Sequence, residues 1–168
     1  MRKIAARLVL IYPGLMIMWL SSILGAADQA PDPDRNIRVV SSLAEAVCRP
    51  DGPLLLVFFS LECPVCWAEL FEMKYFVEKN SIPIELIGIC QEPRDELEPF
   101  LAKYSFFYPV VSDRRKEVYR RFKVRLEPHC VILESGRVIF EDNAAEDLLL
   151  RREKAYQYLL GIASRSPA

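Results

Sequence analysis

From about residue 41 onward, apolar and polar residues alternate between strand-like and helix-like patterns. Residues 54–60 form an apolar run that ends at Ser60, which is typical of a central strand buried on both faces. Residues 65–79 carry apolar side chains at helical spacing, and Pro64 fits the first turn of that helix. The pattern therefore predicts that Cys63 lies at a junction where a strand ends and a helix begins.

The other segments follow in an order typical of an α/β protein. The pattern predicts, in chain order, a capped short helix from residue 41, a strand at 82–90, a helix at 94–104, an extended piece at 108–112, a charged helix at 113–122, two strands at 126–134 and 137–142, and an amphipathic helix at 144–162. Ser135 and Gly136 suit the tight turn of a hairpin between the last two strands. This order indicates an α/β sandwich with a mixed sheet.

The first 27 residues differ from the rest of the chain. Arg2, Lys3 and Arg7 precede an uncharged stretch at 8–27, which is about as long as a helix that crosses a membrane. Residues 1–27 are therefore predicted to be a signal peptide or a membrane anchor. Both alternatives stay open, because the small residues at 25–27 suit a cleavage site, whereas the apolar run is long for a signal core.

The positive charge ahead of this segment predicts where the remainder of the chain resides. It keeps the N-terminus in the cytoplasm, so the residues that follow are expected outside it, in a bacterial periplasm or at the outer face of the inner membrane. Residues 28–40 are predicted to be a linker, since Ala, Asp and Pro are frequent in them. Residues 41–163 are predicted to form one folded domain.

The charges of the chain are nearly balanced, with 22 Lys and Arg against 23 Asp and Glu. Because the basic residues are not concentrated into a strongly positive patch, nucleic acid is excluded as a partner. The densest basic stretch alternates with apolar residues and is predicted to be a solvated helix face. Its basic residues are Arg114, Arg115, Lys116, Arg120 and Arg121.

Two of the five cysteines form a Cys-x-x-Cys motif, Cys63 and Cys66, at the predicted strand-to-helix junction. A thiol at a helix N-terminus faces free backbone N–H groups and the positive end of the helix dipole, which stabilise its thiolate. Cys63 is therefore the predicted nucleophile. Cys66, one turn further into the helix and more buried, is the predicted resolving thiol. Because the two sulfurs carry the electrons, no diffusible cofactor is predicted.

Four stretches of the chain resemble, in the same order, the TlpA-like thiol–disulfide oxidoreductases. These are exported or membrane-tethered members of the thioredoxin superfamily and are related to the peroxiredoxins. The stretches are LLLVFFSLECPVCWAEL, IELIGIC, YPVVSDRRKEVYRRFKV and EPHCVILESGRVIF, which together cover most of residues 54–142. The resemblance implies a thioredoxin-like three-layer sandwich with a central mixed sheet. It also implies protein thiols and disulfides as substrates and a membrane or periplasmic redox protein as partner.

The same resemblance implies roles for three further residues. Pro128 matches the cis-proline that lies beside the cysteines in such proteins, and Glu127 then becomes the residue whose backbone pairs with a bound substrate strand. Glu69 matches an acidic residue one helical turn after Cys66. At that position Glu69 is expected to relay a proton to or from the resolving thiol.

The chain also departs from the TlpA-like pattern at two places. Glu62 stands where an aromatic residue is common, and its charge opposes formation of the Cys63 thiolate. His129 and Cys130 follow Pro128, where small hydroxyl residues are common. Cys130 is interpreted as a small buried strand residue, although the resemblance puts this third thiol near the motif.

Other functions remain open as alternatives. A copper(I)-binding module of the Sco type would use Cys63, Cys66 and His129 as ligands, although the cysteine spacing of such proteins is one residue longer. A thiol peroxidase is a second alternative, and a structural disulfide in a non-catalytic interaction module is a third. Cys48 and Cys90 are interpreted as structural.

Overall fold

Six strands form one sheet in the computed structural model of the protein, which describes residues 37–165. The predicted signal or anchor segment, residues 1–27, and most of the predicted linker lie outside the described residues. The strand order is β1-β4-β3-β2-β5-β6, and the strands are β1 (Val39–Val40), β2 (Leu54–Phe58), β3 (Glu85–Cys90), β4 (Val110–Ser112), β5 (His129–Glu134) and β6 (Arg137–Glu141).

Helices cover both faces of this sheet. Those of residues 37–165 are α1 (Leu43–Ala46), α2 (Pro64–Lys79), α3 (Arg94–Lys103), α4 (Glu117–Arg121) and α5 (Leu148–Arg165). No helix in this part of the chain is long and apolar enough to span a membrane.

The alternation of side chains along β2 explains the two helical layers, because successive residues of a strand point to opposite faces. Leu55 and Val57 pack on one face with buried residues of α2, α3 and α5. Leu54, Leu56 and Phe58 pack on the other face with buried residues of α1 and α4. The predicted three-layer sandwich around a central mixed sheet is thus confirmed.

The position of β2 in the sheet determines where the functional residues meet. β2 pairs with β3 in parallel and with β5 in antiparallel orientation, and Phe58 lies opposite both Ile89 and His129. Because β2 and β5 are antiparallel, the C-terminal end of β2 lies next to the N-terminal end of β5. The segment that contains Cys63 and the segment that contains Pro128 therefore lie at the same edge of the sheet.

Two predicted elements begin later in the structure than the sequence pattern indicated. Helix α4 begins at Glu117 rather than at 113, because the Asp113 carboxylate accepts hydrogen bonds from the backbone N–H groups of Glu117, Val118 and Tyr119 at 2.8, 2.9 and 3.0 Å. Strand β5 begins at His129 rather than at 126, since the chain reaches the strand only after the cis peptide bond that precedes residue 128.

The limits of the domain also differ from the prediction by a few residues. The sequence pattern predicts Val39 and Val40 to be part of the linker at 28–40, but they pair with Val110 and Val111 as the edge strand β1. At the other end, α5 continues to Arg165 instead of stopping near 163. A two-residue edge strand carries too short an apolar pattern to be recognised from sequence.

Candidate active site

Cys63 is the N-cap residue of α2 and links the end of β2 to this helix. Its sulfur accepts a hydrogen bond from the backbone N–H of Cys66 at 3.3 Å, and its carbonyl accepts one from the same N–H at 2.9 Å. Pro64 occupies the first helical position, where a residue without an N–H costs nothing. The sulfur of Cys63 therefore faces the positive end of a 16-residue helix, as the sequence pattern predicts.

Cys63 and Cys66 are joined by a disulfide, with their Cα atoms 5.2 Å apart. The two residues differ in exposure, because Cys63 is partly exposed whereas Cys66 is completely buried. Cys63 is therefore the more accessible of the two residues to a partner molecule. This asymmetry is what attack by one thiol and resolution by the other require.

Glu69 lies one turn of α2 beyond Cys66, and its side chain is only 2% exposed. Its carboxylate binds the Arg152 guanidinium of α5 through both oxygens, with Nε 3.1 Å from Oε1 and 3.0 Å from Oε2 and with Nη2 also in contact with Oε2. These hydrogen bonds raise the pKa of Arg152. The Glu69 carboxylate and the Arg152 guanidinium thus lie together one helical turn beyond Cys66.

The loop before β5 contains the cis peptide bond between Glu127 and Pro128. The Glu127 carboxylate accepts a hydrogen bond from the hydroxyl of Tyr119 in α4. Burial, and to a lesser degree this hydrogen bond, raises the pKa of Tyr119, so its hydroxyl stays protonated as a donor. Tyr119 thereby connects the loop to the sheet face that α4 covers.

Arg151 and Asp142, which the sequence analysis did not identify, hold the other side of this loop. Both side chains are buried, and Arg151 binds Asp142 through Nε at 2.5 Å and through Nη2 at 2.6 Å. The same Nη2 donates to the carbonyl of Pro128, and the Asp142 carboxylate accepts from the backbone N–H of Cys130 at 3.2 Å. The buried ion pair therefore fixes the proline loop to the hairpin and to α5.

Glu92 likewise supports the turn that leads to the cysteines and was not identified from sequence. One of its carboxylate oxygens accepts from the hydroxyl of Ser60 and from the backbone N–H of Leu61, both at 2.8 Å. Its own carbonyl accepts from the hydroxyl of Ser112 at 2.6 Å. Glu92 thus connects the residues that follow β2 with the last residue of β4.

The three other cysteines are unpaired and differ in exposure. Burial raises the pKa of Cys90 and that of Cys130, so both remain thiols within the core. This agrees with the interpretation of Cys130 as a buried strand residue. Cys48 is exposed, and its sulfur accepts a hydrogen bond from the Arg38 guanidinium at 3.0 Å.

The structure does not bring His129 together with the cysteine pair. Its ring packs edge-on against Phe58, with centroids 5.8 Å apart, and thus lies on the sheet face that α1 and α4 cover. Cys66 packs with the core on the opposite face. Burial lowers the pKa of His129, and its Nε2 lies 3.6 Å from the Glu141 carboxylate. Within residues 37–165, no three His, Cys, Asp or Glu side chains are grouped so that they could hold a metal ion.

A groove of about 640 Å³ opens beside the cysteine pair. Cys63, Cys66 and Gln91 line one part of it, and Lys116, Tyr119, Arg120 and the segment from Lys123 to Glu127 line the rest. Glu127 therefore lies in the same groove as the cysteines, as the resemblance implies. A groove of this size admits an extended piece of another chain next to the sulfur of Cys63.

The chain belongs to the AhpC/TSA family, which matches residues 28–144. This membership confirms the predicted class, a redoxin of the thioredoxin superfamily. Nucleoredoxin-like protein 1 of Mus musculus is 25% identical over 122 residues, which cover 65% of this chain and 56% of that protein. The chain thus spans little more than half the length of the curated relative that it matches.

Solved structures with low sequence identity share the fold. Peroxidoxin BcpB from Mycobacterium tuberculosis has a TM-score of 0.58 at 22% identity and covers 69% of this chain and 82% of its own. A thioredoxin-like protein from Porphyromonas gingivalis has a TM-score of 0.57 at 14% identity. The match covers 71% of this chain and 81% of that one. A secreted disulfide oxidoreductase of Mycobacterium tuberculosis, homologous to E. coli DsbE, has a TM-score of 0.52 at 18% identity. The match covers 66% of this chain and 82% of that one. The fold is therefore thioredoxin-like.

Replacing Arg151 with Met should destabilise the protein strongly. The change leaves the buried Asp142 carboxylate without its cation, and breaking a buried ion pair from one side costs about 3–5 kcal/mol. Lys154→Met is the matched control on the same helix, because it removes an exposed ion pair with Glu146 and should cost far less. Urea unfolding of the oxidised protein measures both changes. Equal losses for the two variants would contradict the structural role given to Arg151.

Proposed function

We propose that the protein is an extracytoplasmic thiol–disulfide oxidoreductase that exchanges electrons with protein thiols and disulfides through Cys63 and Cys66. The observation that carries this proposal is the disulfide between a partly exposed cysteine at a helix N-terminus and a buried cysteine one turn further along the helix. The groove beside them offers room for the client chain. A purely structural disulfide would need neither the exposed sulfur nor the groove.

The exchange proceeds in two displacement steps. In the reducing direction, the Cys63 thiolate attacks one sulfur of a client disulfide, so that a mixed disulfide forms and a client thiolate leaves. The Cys66 thiolate then attacks the sulfur of Cys63, which releases the second client thiolate and forms the Cys63–Cys66 disulfide. Two electrons pass to the client, and each client thiolate takes up a proton. The reverse sequence oxidises a client dithiol.

Glu69 is proposed to accept the proton of Cys66 as that thiol becomes the attacking thiolate. Its buried carboxylate lies one helical turn from Cys66, and Arg152 binds it through both oxygens. The ion pair with Arg152 is a contact of the carboxylate form, which is the form that can accept a proton. Because Cys66 is buried, an acceptor within the protein is useful for its proton.

Glu127 and Pro128 are proposed to shape the place where the client strand binds. The contacts of Tyr119 with Glu127 and of Arg151 with Pro128 hold this loop beside the groove. The backbone of Glu127 precedes β5 and is not part of the strand ladder. An extended client segment next to Cys63 could therefore use its polar groups.

The proposed location outside the cytoplasm rests on the charge pattern of residues 1–27 and on the name of one structural neighbour, a secreted disulfide oxidoreductase. In this proposal, residues 1–27 export or anchor the protein, the segment up to about residue 36 is a tether, and the domain follows. A membrane or periplasmic redox protein then restores the oxidation state of the pair. No diffusible cofactor takes part.

Trapping of the mixed disulfide tests the assignment of the two cysteines. Reduced Cys66→Ser protein should accumulate a covalent adduct with a disulfide-bonded peptide, because the first displacement occurs and the second cannot. Cys63→Ser protein should form no adduct above background. Non-reducing mass spectrometry with peptide mapping identifies the attached residue. Cys48→Ser in the Cys66→Ser background is the control for an exposed thiol, and it should leave the yield unchanged.

Two results of this trapping would contradict the proposal. One is an adduct that persists after Cys63→Ser. The other is an adduct on Cys48, whose thiol is exposed but lies outside the groove. Hydrogen peroxide tests the peroxidase alternative in parallel, because a thiol peroxidase would oxidise Cys63 faster with peroxide than with the peptide disulfide.

Glu69→Gln should slow the resolution of the mixed disulfide on the order of 100-fold, because the amide cannot accept the proton of Cys66. Rapid quenching followed by mass spectrometry measures the decay of the mixed disulfide at several pH values. Glu72→Gln, an exposed change on the same helix, is the control. Equal rates in both variants would exclude Glu69 as the proton acceptor.

A further inference from the structure

The groove beside Cys63 is strongly basic. Four of its lining residues are cations, Lys116, Arg120, Lys123 and Arg125. Its one carboxylate, Glu127, already accepts a hydrogen bond from Tyr119. The chain as a whole has nearly equal numbers of basic and acidic residues, so this excess of positive charge is a local property of the groove.

Three of these cations lie in or next to α4. Arg120 is in the helix, Lys116 is its N-cap residue and Lys123 follows its C-terminal end, and all three line the groove. Val118 and Phe122 of the same segment are buried against the sheet. The basic stretch is thus solvated, as its sequence pattern indicates, but its solvated side is a wall of the groove that contains the two cysteines.

None of the four groove cations forms an ion pair with a carboxylate within the part of the chain that the structure describes. Other basic residues there do, among them Lys74, Arg94, Arg151, Arg152, Lys154 and Arg165. All four groove cations are exposed. Unpaired cations around one cleft repel each other, and an anionic ligand in the cleft relieves this repulsion.

We propose that the groove selects client proteins in which acidic residues flank the reactive disulfide or dithiol. This inference rests on the proposed function and names its substrate class. The four cations attract the acidic flanks and hold them while Cys63 reacts, and Leu126, whose side chain is 62% exposed, offers an apolar contact within the same groove.

An extended protein segment fits these observations better than a small anion. A site for a small anion fixes it with a few buried and precisely directed polar groups. Here the cations are exposed and are distributed from Lys116 to Arg125, so they attract negative charge over a wide area. Such an arrangement acts mainly on the rate of association and weakens as salt is added.

Three disulfide-bonded peptides test the inference with the full-length reduced protein. Their cysteines are flanked by Asp, by Asn or by Lys, and they are otherwise identical. At about 20 mM NaCl the acidic peptide should react at least about tenfold faster than the basic one. At about 500 mM NaCl the two rates should approach each other, because the Debye length falls to roughly 4 Å.

Arg120→Glu and Arg121→Glu are a matched pair of variants. Both change the net charge by the same amount on neighbouring exposed residues of α4, but only Arg120 lines the groove. Arg120→Glu should lower the acidic-to-basic rate ratio at least about fivefold, whereas Arg121→Glu should change it less than about twofold. The ratio cancels any change in the intrinsic reactivity of Cys63.

Each remaining outcome would overturn the inference. If the three peptides react equally fast at low salt, or if both variants lower the ratio alike, the groove does not select acidic clients, although the proposed function stands. If glutathione disulfide reacts faster than the acidic peptide and depends on Arg120 in the same way, the ligand is a small anion. If no disulfide is reduced at all, the proposed function fails, and this inference fails with it.

Discussion

The site depends on the pairing of β2 with two strands of opposite direction. Its parallel partner β3 and its antiparallel partner β5 are both hydrogen-bonded to it, so β2 is buried on both faces and at both edges. The chain leaves β2 toward Cys63 at the edge where it comes from Pro128 into β5. The two segments that any thiol exchange here requires are therefore neighbours because of the sheet, although they are more than sixty residues apart in sequence.

Two consecutive residues of α5 connect the two halves of the site. Arg151 binds Asp142 and the carbonyl of Pro128, while Arg152 binds Glu69 beneath Cys66. Burying charged groups is costly unless each charge is paired and hydrogen-bonded, and both arginines meet this condition with two or more bonds. One helix thus positions the proline loop on one side and the candidate proton acceptor on the other.

Local sequence patterns predicted those parts of the site that depend on neighbouring residues. The apolar run before Cys63 and the proline after it were sufficient to place a strand, a junction and a helix. Arg151, Arg152 and Glu92 were not found, because their partners lie far away in sequence; Arg152 and Glu69, for example, are 83 residues apart. The exposure of the basic residues in and before α4 followed from their pattern, but the pattern could not show that Lys116 and Arg120 line the groove of Cys63. The pattern likewise did not show that the Asp113 carboxylate binds the first backbone N–H groups of α4, so that the helix begins only at Glu117.

The most direct test of the account is whether Cys63 and Cys66 form a reversible two-electron couple. The protein is equilibrated with glutathione or dithiothreitol mixtures of increasing reducing power, quenched with acid, alkylated and weighed by mass spectrometry. The chain has five cysteines, of which three are unpaired in the structure. The account predicts that the thiol count rises from three to five in one transition, with a slope of about 30 mV per tenfold change in ratio. It would be contradicted by a count that stays at three under all reducing conditions, or by loss of the transition only when a cysteine other than Cys63 or Cys66 is replaced.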